Sequence, residues 1–236
     1  MGSAARNITF RARRQPARGA RTVSSGGPGR TALAPQVHRG RVPTTFRVRR
    51  HSVATGIHQE PEIAAISELL ASRGADRISH PGGTLLAHLQ RVHTLLAQWG
   101  ARPGVRLAGL CHAFYGTDGF ATALGSPGRR DELAAIIGQE AERLVYLYAS
   151  CDRRFSYPRL AERAGPFKDR FTGTVLRPPL ALRRDFAELT AANELDIAAA
   201  SPDFRAQAGP GLLRLFTAWK NLLSGPAWQS VQATLP

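Results

Sequence analysis

Apolar residues recur at helical spacing along most of the chain after residue 58. In "TLLAHLQRVHTLLAQWG" they fall in steps of three and four, forming a stripe of Leu85, Leu89, Val92, Leu96 and Trp99. A stripe of this kind is typical of a helix that packs one side against a core. Thr84 can cap the start of this helix and Gly100 can end it. The segment therefore predicts a core-facing helix.

The same periodicity predicts about seven helices and almost no strand. Residues 103–115 are apolar on nearly all sides, which predicts a central helix. Gly138 is a candidate break within the following helical pattern. Residues 155–181 are richer in Pro, Gly and aromatic residues, and "FTGTVLRPP" predicts a short strand or an irregular loop. Further helices are predicted from "QEPEIAAISELLASRG", "RRDELAAIIGQEAERLVYLYASCDR", "ALRRDFAELTAANELDIAAA" and "GPGLLRLFTAWKNLLSG". The fold class is therefore all-α.

The beginning of the chain differs from the rest in pattern and in charge. Residues 1–57 show no persistent apolar period, and residues 1–58 contain twelve arginines and no acidic residue. The formal net charge of +15 thus belongs mainly to this segment. We predict a disordered Arg-rich tail over 1–57 and an all-α domain over 58–236. The tail fits an organellar transit peptide, an arm that contacts nucleic-acid phosphates, or upstream sequence included by a misplaced start codon.

Several function classes are excluded or made less probable by the remaining composition. The two cysteines, Cys111 and Cys151, lie in apolar helical patterns and form no zinc-ribbon or disulfide framework. Buried free thiols favour a reducing, cytoplasmic setting. The chain contains no window of 18 consecutive apolar residues, so no membrane span is predicted. Neither a phosphate-binding glycine loop nor a Gly-x-Ser-x-Gly nucleophile motif occurs, and nucleic-acid binding is expected only through the tail.

Four polar residues interrupt apolar helix faces: His88, His112, Asp152 and Asn193. Burying an unpaired polar group is costly, and burying a lone carboxylate is costlier. The cost is avoided most easily if these groups meet one another or a metal ion. Two neutral imidazoles and a carboxylate suit a divalent transition metal such as Fe, Mn or Zn. Each residue also has a local explanation: a histidine can bond a carbonyl, Asp152 can cap a helix, and Asn193 can bond nearby backbone.

The segment "HLQRVHTLLAQWGARPGVRLAGLCHAFYGT" resembles the start of the HD-domain superfamily of all-helical metal-binding proteins. His88 matches the first histidine of that family, and His112, 24 residues later, matches the histidine of its His-Asp pair. The segment also resembles a bacterial branch with His-x-x-Tyr-Gly-Thr in place of His-Asp, carried here by His112, Tyr115, Gly116 and Thr117. His80 and Pro81 mark the approach to the first helix. The resemblance covers residues 80–120 closely and 60–200 loosely, and it implies an HD-like fold.

Ala113 departs from the family pattern, because it stands where the family has a metal-binding aspartate. Three interpretations stay open. Asp118 can substitute from the following turn, the site can hold one metal with His88, His112 and a late acid, or the fold has lost its metal. Asp152 is the first choice for the late acid, and Glu194 is the second.

The resemblance implies a metal-dependent hydrolase acting on a phosphorylated small molecule or nucleotide. In this interpretation Arg153 and Arg154 neutralise phosphate charge. The residues expected to take part in catalysis are His112, Asp118 and Tyr115, while His80, Thr117, Asn193 and Glu194 are further candidates. The alternative is a non-catalytic HD-like module that binds a small ligand or a protein in the same pocket.

Overall fold

The computed structural model of this chain describes residues 59–235, and side chains from residue 62. The predicted tail over 1–57 lies outside these residues. The described part is all-α, as predicted, and consists of eight α-helices: α1 (Gln59–Ser72), α2 (Leu85–Gln98), α3 (Pro103–Cys111), α4 (Arg130–Ser150), α5 (Arg153–Ser156), α6 (Leu180–Ala200), α7 (Pro202–Ala218) and α8 (Gly225–Thr234). None of these described helices has the length and apolar character needed to cross a membrane.

Four two-residue strands form two antiparallel pairs beside the helices. Strand β1 (Ser79–His80) pairs with β2 (Gly83–Thr84), immediately before α2. Strand β3 (Phe167–Lys168) pairs with β4 (Val175–Leu176), with Phe167 opposite Leu176. The predicted strand or loop in "FTGTVLRPP" is therefore one strand of a short hairpin.

Helices α2, α3 and α6 form the centre of the molecule. Helix α2 packs against both α3 and α6, and α3 also packs against α4. Leu89, Val92 and Leu96, on the predicted stripe of α2, are completely buried. Gly109 lets α2 and α3 approach closely, since a Cβ at this position would overlap Cδ1 of Leu96. This close approach brings the histidines of the two helices together.

Helix boundaries follow the predicted caps at several points. Thr84 accepts a hydrogen bond from the Ala87 backbone N–H at the start of α2. Gly138 interrupts α4 with φ of 80°, as predicted from its position in the apolar pattern. Helix α3 ends at Cys111, earlier than the predicted residue 115, because the chain turns to Gly116, which has φ of 69°.

The C-terminal part contains more helix than the sequence predicted. Helix α7 starts at Pro202, where the Ser201 hydroxyl accepts a hydrogen bond from the Phe204 N–H. The separate helix α8 begins after Ser224, which caps it by accepting from the Ala227 N–H. Both helices pack against α6.

Candidate functional site

A small pocket opens where α2, the end of α3 and the C-terminal half of α6 meet. Its volume is about 70 Å³, which is room for a few water molecules or an ion with its water ligands. We call it the histidine pocket, because His80, His88 and His112 all line it. Apolar walls come from Pro81, Leu85, Ala113, Phe120, Ile197 and Phe204.

His88 and His112 face each other across this pocket. Their Nε2 atoms lie 3.3 Å apart, and both side chains are almost completely buried. Asn193 on α6 places its Oδ1 atom 3.1 Å from the same Nε2 atom of His88. The structure therefore brings together three of the four buried polar residues predicted from the sequence.

The hydrogen bonds on the far side of each ring determine which nitrogens carry protons. His88 Nδ1 lies 2.7 Å from Oδ2 of Asp196, and His112 Nδ1 lies 2.8 Å from the Gly109 carbonyl oxygen. A carboxylate and a carbonyl only accept hydrogen bonds, so each Nδ1 must donate. In the neutral rings both Nε2 atoms then carry lone pairs, and these lone pairs face each other. Asn193 Oδ1 also only accepts, so a proton on His88 Nε2, or a cation that binds both atoms, satisfies this contact.

Burial keeps His112 neutral. Desolvation, reinforced by the nearby His88 ring, lowers the pKa of His112 to about 3. A neutral imidazole with a fixed Nδ1–H is the form that binds transition metals. The Gly109 carbonyl thus holds His112 in the tautomer whose Nε2 atom carries the lone pair.

Asp196 and Arg91 form a charged support behind His88. Arg91 binds both carboxylate oxygens of Asp196, at 2.7 Å from Nε and 2.9 Å from Nη2. Burial alone would raise the pKa of the Asp196 carboxyl, but the hydrogen bonds from His88 and Arg91 outweigh it and hold that pKa below its ordinary value. Arg91 also donates to the Pro81 carbonyl, which ties the β1–β2 turn to this support.

His80 forms part of the pocket wall by stacking on His88. The ring centroids are 4.1 Å apart, and Phe120 contacts His80 edge-on from another side. His80 Nδ1 is buried and has no hydrogen-bond partner. Desolvation and the neighbouring His88 lower the pKa of His80 to about 4, so this ring is also neutral near pH 7.

Arg153 and Glu194 add a charged pair to the pocket wall. Arg153 Nη1 lies 3.1 Å from Oε1 of Glu194, and its Nη2 donates to the Tyr148 hydroxyl at 3.3 Å. Both charged residues line the pocket. Arg153 and Glu194, both candidates from the sequence, therefore lie at the histidine pocket.

Asp152 is not brought to the histidines, in contrast to its predicted role as the late carboxylate. Its Oδ1 accepts from the Phe155 N–H at the start of α5, and its Oδ2 lies 3.1 Å from Nζ of Lys168. These two contacts offset the effect of partial burial and lower the pKa of the Asp152 carboxyl. Arg154, its neighbour, is exposed and does not line the pocket. Asp152 thus caps a helix.

Two residues predicted to act in catalysis also lie outside the pocket. The Asp118 carboxylate accepts from the Arg153 backbone N–H at 2.9 Å, so it fixes the start of α5 and does not replace the missing aspartate. The Tyr115 hydroxyl donates to the buried Glu142 at 3.1 Å on the α4 side. Thr117 does line the pocket, and its backbone pairs with Phe120 in a tight turn.

Few donor atoms in the pocket are available to a metal ion. Within residues 59–235, no group of three or more His, Cys, Asp or Glu side chains is arranged to hold a metal. The available donors are two imidazole nitrogens and one amide oxygen. Two nitrogens that each bind one ion at ~2.1 Å with a tetrahedral angle are ~3.4 Å apart, which matches the observed 3.3 Å. A second ion would need a bridging carboxylate, and Ala113 in the pocket wall provides none.

Sequence reasoning missed the roles of Asp196 and Arg91. The signal for Asp196 was present, because it lies on one helical face with Asn193, Leu189 and Phe186. An acid on an apolar face that already contains a buried amide was a better candidate than an acid at a helix end. No comparable pattern marked Arg91.

The comparisons with known proteins cover the first half of this site. Residues 69–153 match the model of a family described as a domain of unknown function, DUF6817. No curated protein and no solved structure matches the chain. The matched segment includes α2, α3 and α4 with His80, His88 and His112. It ends before α6, which contributes Asn193, Glu194 and Asp196.

Proposed function

We propose that this chain is a mononuclear metal-dependent hydrolase of the HD type, acting on a phosphorylated small molecule or nucleotide. One observation carries the proposal: the Nε2 atoms of His88 and His112 converge at 3.3 Å while both Nδ1 atoms are committed to acceptors. Two facing lone pairs in a buried pocket repel each other unless a proton or a cation lies between them. A divalent transition metal such as Fe, Mn or Zn meets both at once.

The residues of the histidine pocket divide into ligands and supports in this proposal. His88, His112 and Asn193 would hold the metal. Asp196 and the Gly109 carbonyl fix the two imidazoles in the ligand tautomer, as outer partners do in metal sites. A bound metal of this kind supplies Lewis-acid activation of water and of a phosphoryl oxygen.

Arg153 and Glu194 supply the remaining chemistry of the proposed site. The Arg153 guanidinium faces the pocket and can neutralise a phosphoryl group at its mouth. Glu194, paired with Arg153, can accept a proton from an attacking water when a phosphate draws the guanidinium away. The pocket of about 70 Å³ admits a phosphoryl group and not a whole nucleotide, so the rest of the substrate would lie outside, against Phe120 and Phe204.

A cytoplasmic setting is part of the proposal. Cys111 and Cys151 are both buried free thiols, and burial raises the pKa of each to about 12. Such thiols are unreactive and form no disulfide scaffold, which is the usual condition in a reducing compartment.

The test combines metal content with turnover. The full chain is stripped with EDTA, reloaded separately with Fe²⁺, Mn²⁺ or Zn²⁺, and analysed for bound metal and for hydrolysis of p-nitrophenyl phosphate and nucleoside monophosphates. We expect about one metal per chain and turnover that requires it. H88Q and H112Q should each lose metal by at least about tenfold in affinity, because outer support cannot replace a ligand.

A matched control is available on the same helix as His88. His93 lies on α2 but does not line the pocket, so H93Q should keep both metal and turnover. Metal binding that survives in the H88Q/H112Q double variant, or turnover that EDTA does not reduce, would contradict the proposal.

A non-catalytic module is the second candidate, and the position of Asp196 favours it. This carboxylate is neutralised by Arg91 and bonded to His88, so it is not a free ligand, and Ala113 contributes no donor. In this alternative the pocket binds a small neutral or anionic ligand without turnover. If A113D gains about one metal per chain where the unmodified chain binds none, the non-catalytic interpretation is supported.

A further inference from the structure

A second and larger cavity borders α4. It is a groove of about 660 Å³ between α4 and the segment that connects β4 to α6. It shares no lining residue with the histidine pocket. Its volume falls in the range of small-molecule sites, which is roughly 300–1,000 Å³. We call it the arginine groove, after Arg130, Arg143 and Arg177 in its wall.

The three arginines differ in whether an acidic residue pairs with them. Arg130 binds both oxygens of the buried Glu142, at 2.7 Å and 2.6 Å, so this pair is neutral by itself. Arg143 and Arg177 are both exposed, and neither has an ion-pair partner among the residues that the structure describes. Asp131 is an exposed acid at the rim. The groove therefore offers two guanidinium groups whose donors are available to an anion.

The floor of the groove is apolar and includes an aromatic ring. Leu147, Leu176 and Leu182 line it together with Pro178 and Pro179. Tyr146 also lines the groove, and the Arg130 guanidinium lies 3.9 Å from the centre of its ring. The Tyr146 hydroxyl donates to Asp169, which fixes the ring in place.

Exposed apolar side chains extend this surface along the chain. Among the described residues, four of the five exposed large hydrophobics fall within ten positions, at Phe171, Val175, Leu176 and Leu180. Phe171 contacts Tyr146, with ring centroids 5.9 Å apart, so the exposed surface continues from the groove floor. Contiguous apolar surface beside a formed groove commonly marks a binding site.

We propose that the arginine groove binds a small organic anion that carries one carboxylate, sulfonate or phosphate group on a flat apolar body. Arg143 and Arg177 would bind the anionic group through charge-assisted hydrogen bonds. The apolar body would lie on Leu147, Leu176 and Leu182. The Arg-rich segment before residue 58 does not suit this groove, because it contains twelve arginines and no acidic residue.

Matched ligands test the two halves of this proposal. Binding of 2-naphthoate, of the uncharged 2-naphthamide and of inorganic phosphate to the full chain is measured by isothermal titration calorimetry. We expect 2-naphthoate to bind with a Kd below about 1 mM. The amide and the phosphate should each bind at least about tenfold more weakly, since each lacks one of the two interactions.

Matched variants locate the site. R143Q/R177Q should weaken 2-naphthoate binding by at least about tenfold. The control R205Q/R214Q removes two exposed arginines of α7 that lie outside the groove and should bind normally. H112Q should also bind normally, which separates this test from that of the proposed function.

Three results would overturn the proposal. These are no binding of 2-naphthoate up to about 5 mM, equal binding of the amide, and unchanged affinity in R143Q/R177Q. Equal affinity for inorganic phosphate would also contradict the proposal, because it would show that the groove binds anions without contribution from an apolar body.

Discussion

The histidine pocket and the arginine groove are both lined by basic side chains, but the two sets differ in burial and in hydrogen bonding. The pocket is small, at about 70 Å³, and its charged groups and both Nδ1 atoms of His88 and His112 have partners within the chain, whereas His80 Nδ1 has none. The groove is about 660 Å³, and two of its three arginines face solvent without an ion pair among the described residues. Burial accounts for this difference, because a buried polar group must be bonded and an exposed one need not be.

Because of this difference, substitutions in the two regions should affect stability and binding differently. In the pocket, removal of one group leaves another group buried and unsatisfied, so stability and binding change together. In the groove, removal of an exposed guanidinium changes binding and leaves the folded state largely unaffected. The predictions below test this separation, beginning with the largest expected effect.

Acid should destabilise the protein chiefly through the histidine pocket. His80 and His112 have folded pKa values of about 4 and about 3, below the ordinary value of 6.5. Their unfolded forms therefore take up protons below pH 6.5, whereas the folded forms do not, so their contribution to stability is complete above pH 6.5 and is lost as the pH falls. From pH 7.5 to pH 5.0 the two residues should remove roughly 4 kcal/mol from the free energy of unfolding of the metal-free protein.

Urea denaturation of EDTA-treated protein at the two pH values measures this loss. H112Q should show a loss smaller by about 2 kcal/mol, because one of the two titrating rings is gone. R143Q/R177Q should show the full loss. An identical pH dependence in H112Q and in the unmodified chain would contradict the assignment of the effect to this pocket.

Removal of the carboxylate behind His88 should have the next largest effect. D196A leaves the His88 Nδ1–H without its acceptor and Arg91 without its partner. We expect a loss of about 3 kcal/mol in the free energy of unfolding, at the low end for a buried pair because Arg91 is 37% exposed. Thermal and urea unfolding measure it, with D76A at an exposed turn as the control. A D196A loss no larger than that of D76A would refute the supporting role.

The other acid, Asp152, should show a smaller and purely structural effect. D152A removes the cap of α5 and should lower the free energy of unfolding by about 1 kcal/mol. Metal stoichiometry should stay the same, because the Asp152 carboxylate is engaged by Phe155 and Lys168. Elemental analysis of D152A beside D196A checks this directly. Loss of metal in D152A with retention in D196A would reverse our assignment of the two acids.

The smallest effect is expected in the arginine groove. R143Q/R177Q should change the free energy of unfolding by less than about 0.5 kcal/mol, since both side chains are exposed. Urea unfolding measures it beside the R205Q/R214Q control. A loss above about 1 kcal/mol would mean that the groove arginines stabilise the fold, and the contrast between the two regions would fail.

Much of the fold and part of the site followed from local patterns. The stripe on α2, the Thr84 cap and the break at Gly138 are properties of short segments, and each occurs in the structure where the sequence predicted it. His88, His112 and Asn193, each on an apolar helix face, do lie together, whereas Asp152, which was predicted with them, does not. The separate helix α8 was not predicted, because its ten residues carry a weak apolar pattern.

Asp152 and Asp196 show what could not be predicted from the sequence. Asp196 lies within an apolar helix face and Asp152 lies at a helix end, which favours Asp196 as the buried acid, but no local pattern shows that its partner is the distant His88. Asp152 lies between α4 and α5, where the free N–H of Phe155 is the nearest donor. Asp196 lies on α6 where that helix packs against α2.

The sequence by itself determined the helices, their buried faces and the need for buried polar groups to find partners. Periodicity and capping act within a few residues, so they can be recognised in one dimension. Only the tertiary structure decided that Asp196 supports His88, that the two Nε2 atoms converge, and that an open groove adjoins α4. Those contacts join residues as many as 108 positions apart, and they depend on how whole helices cross, which no local pattern encodes.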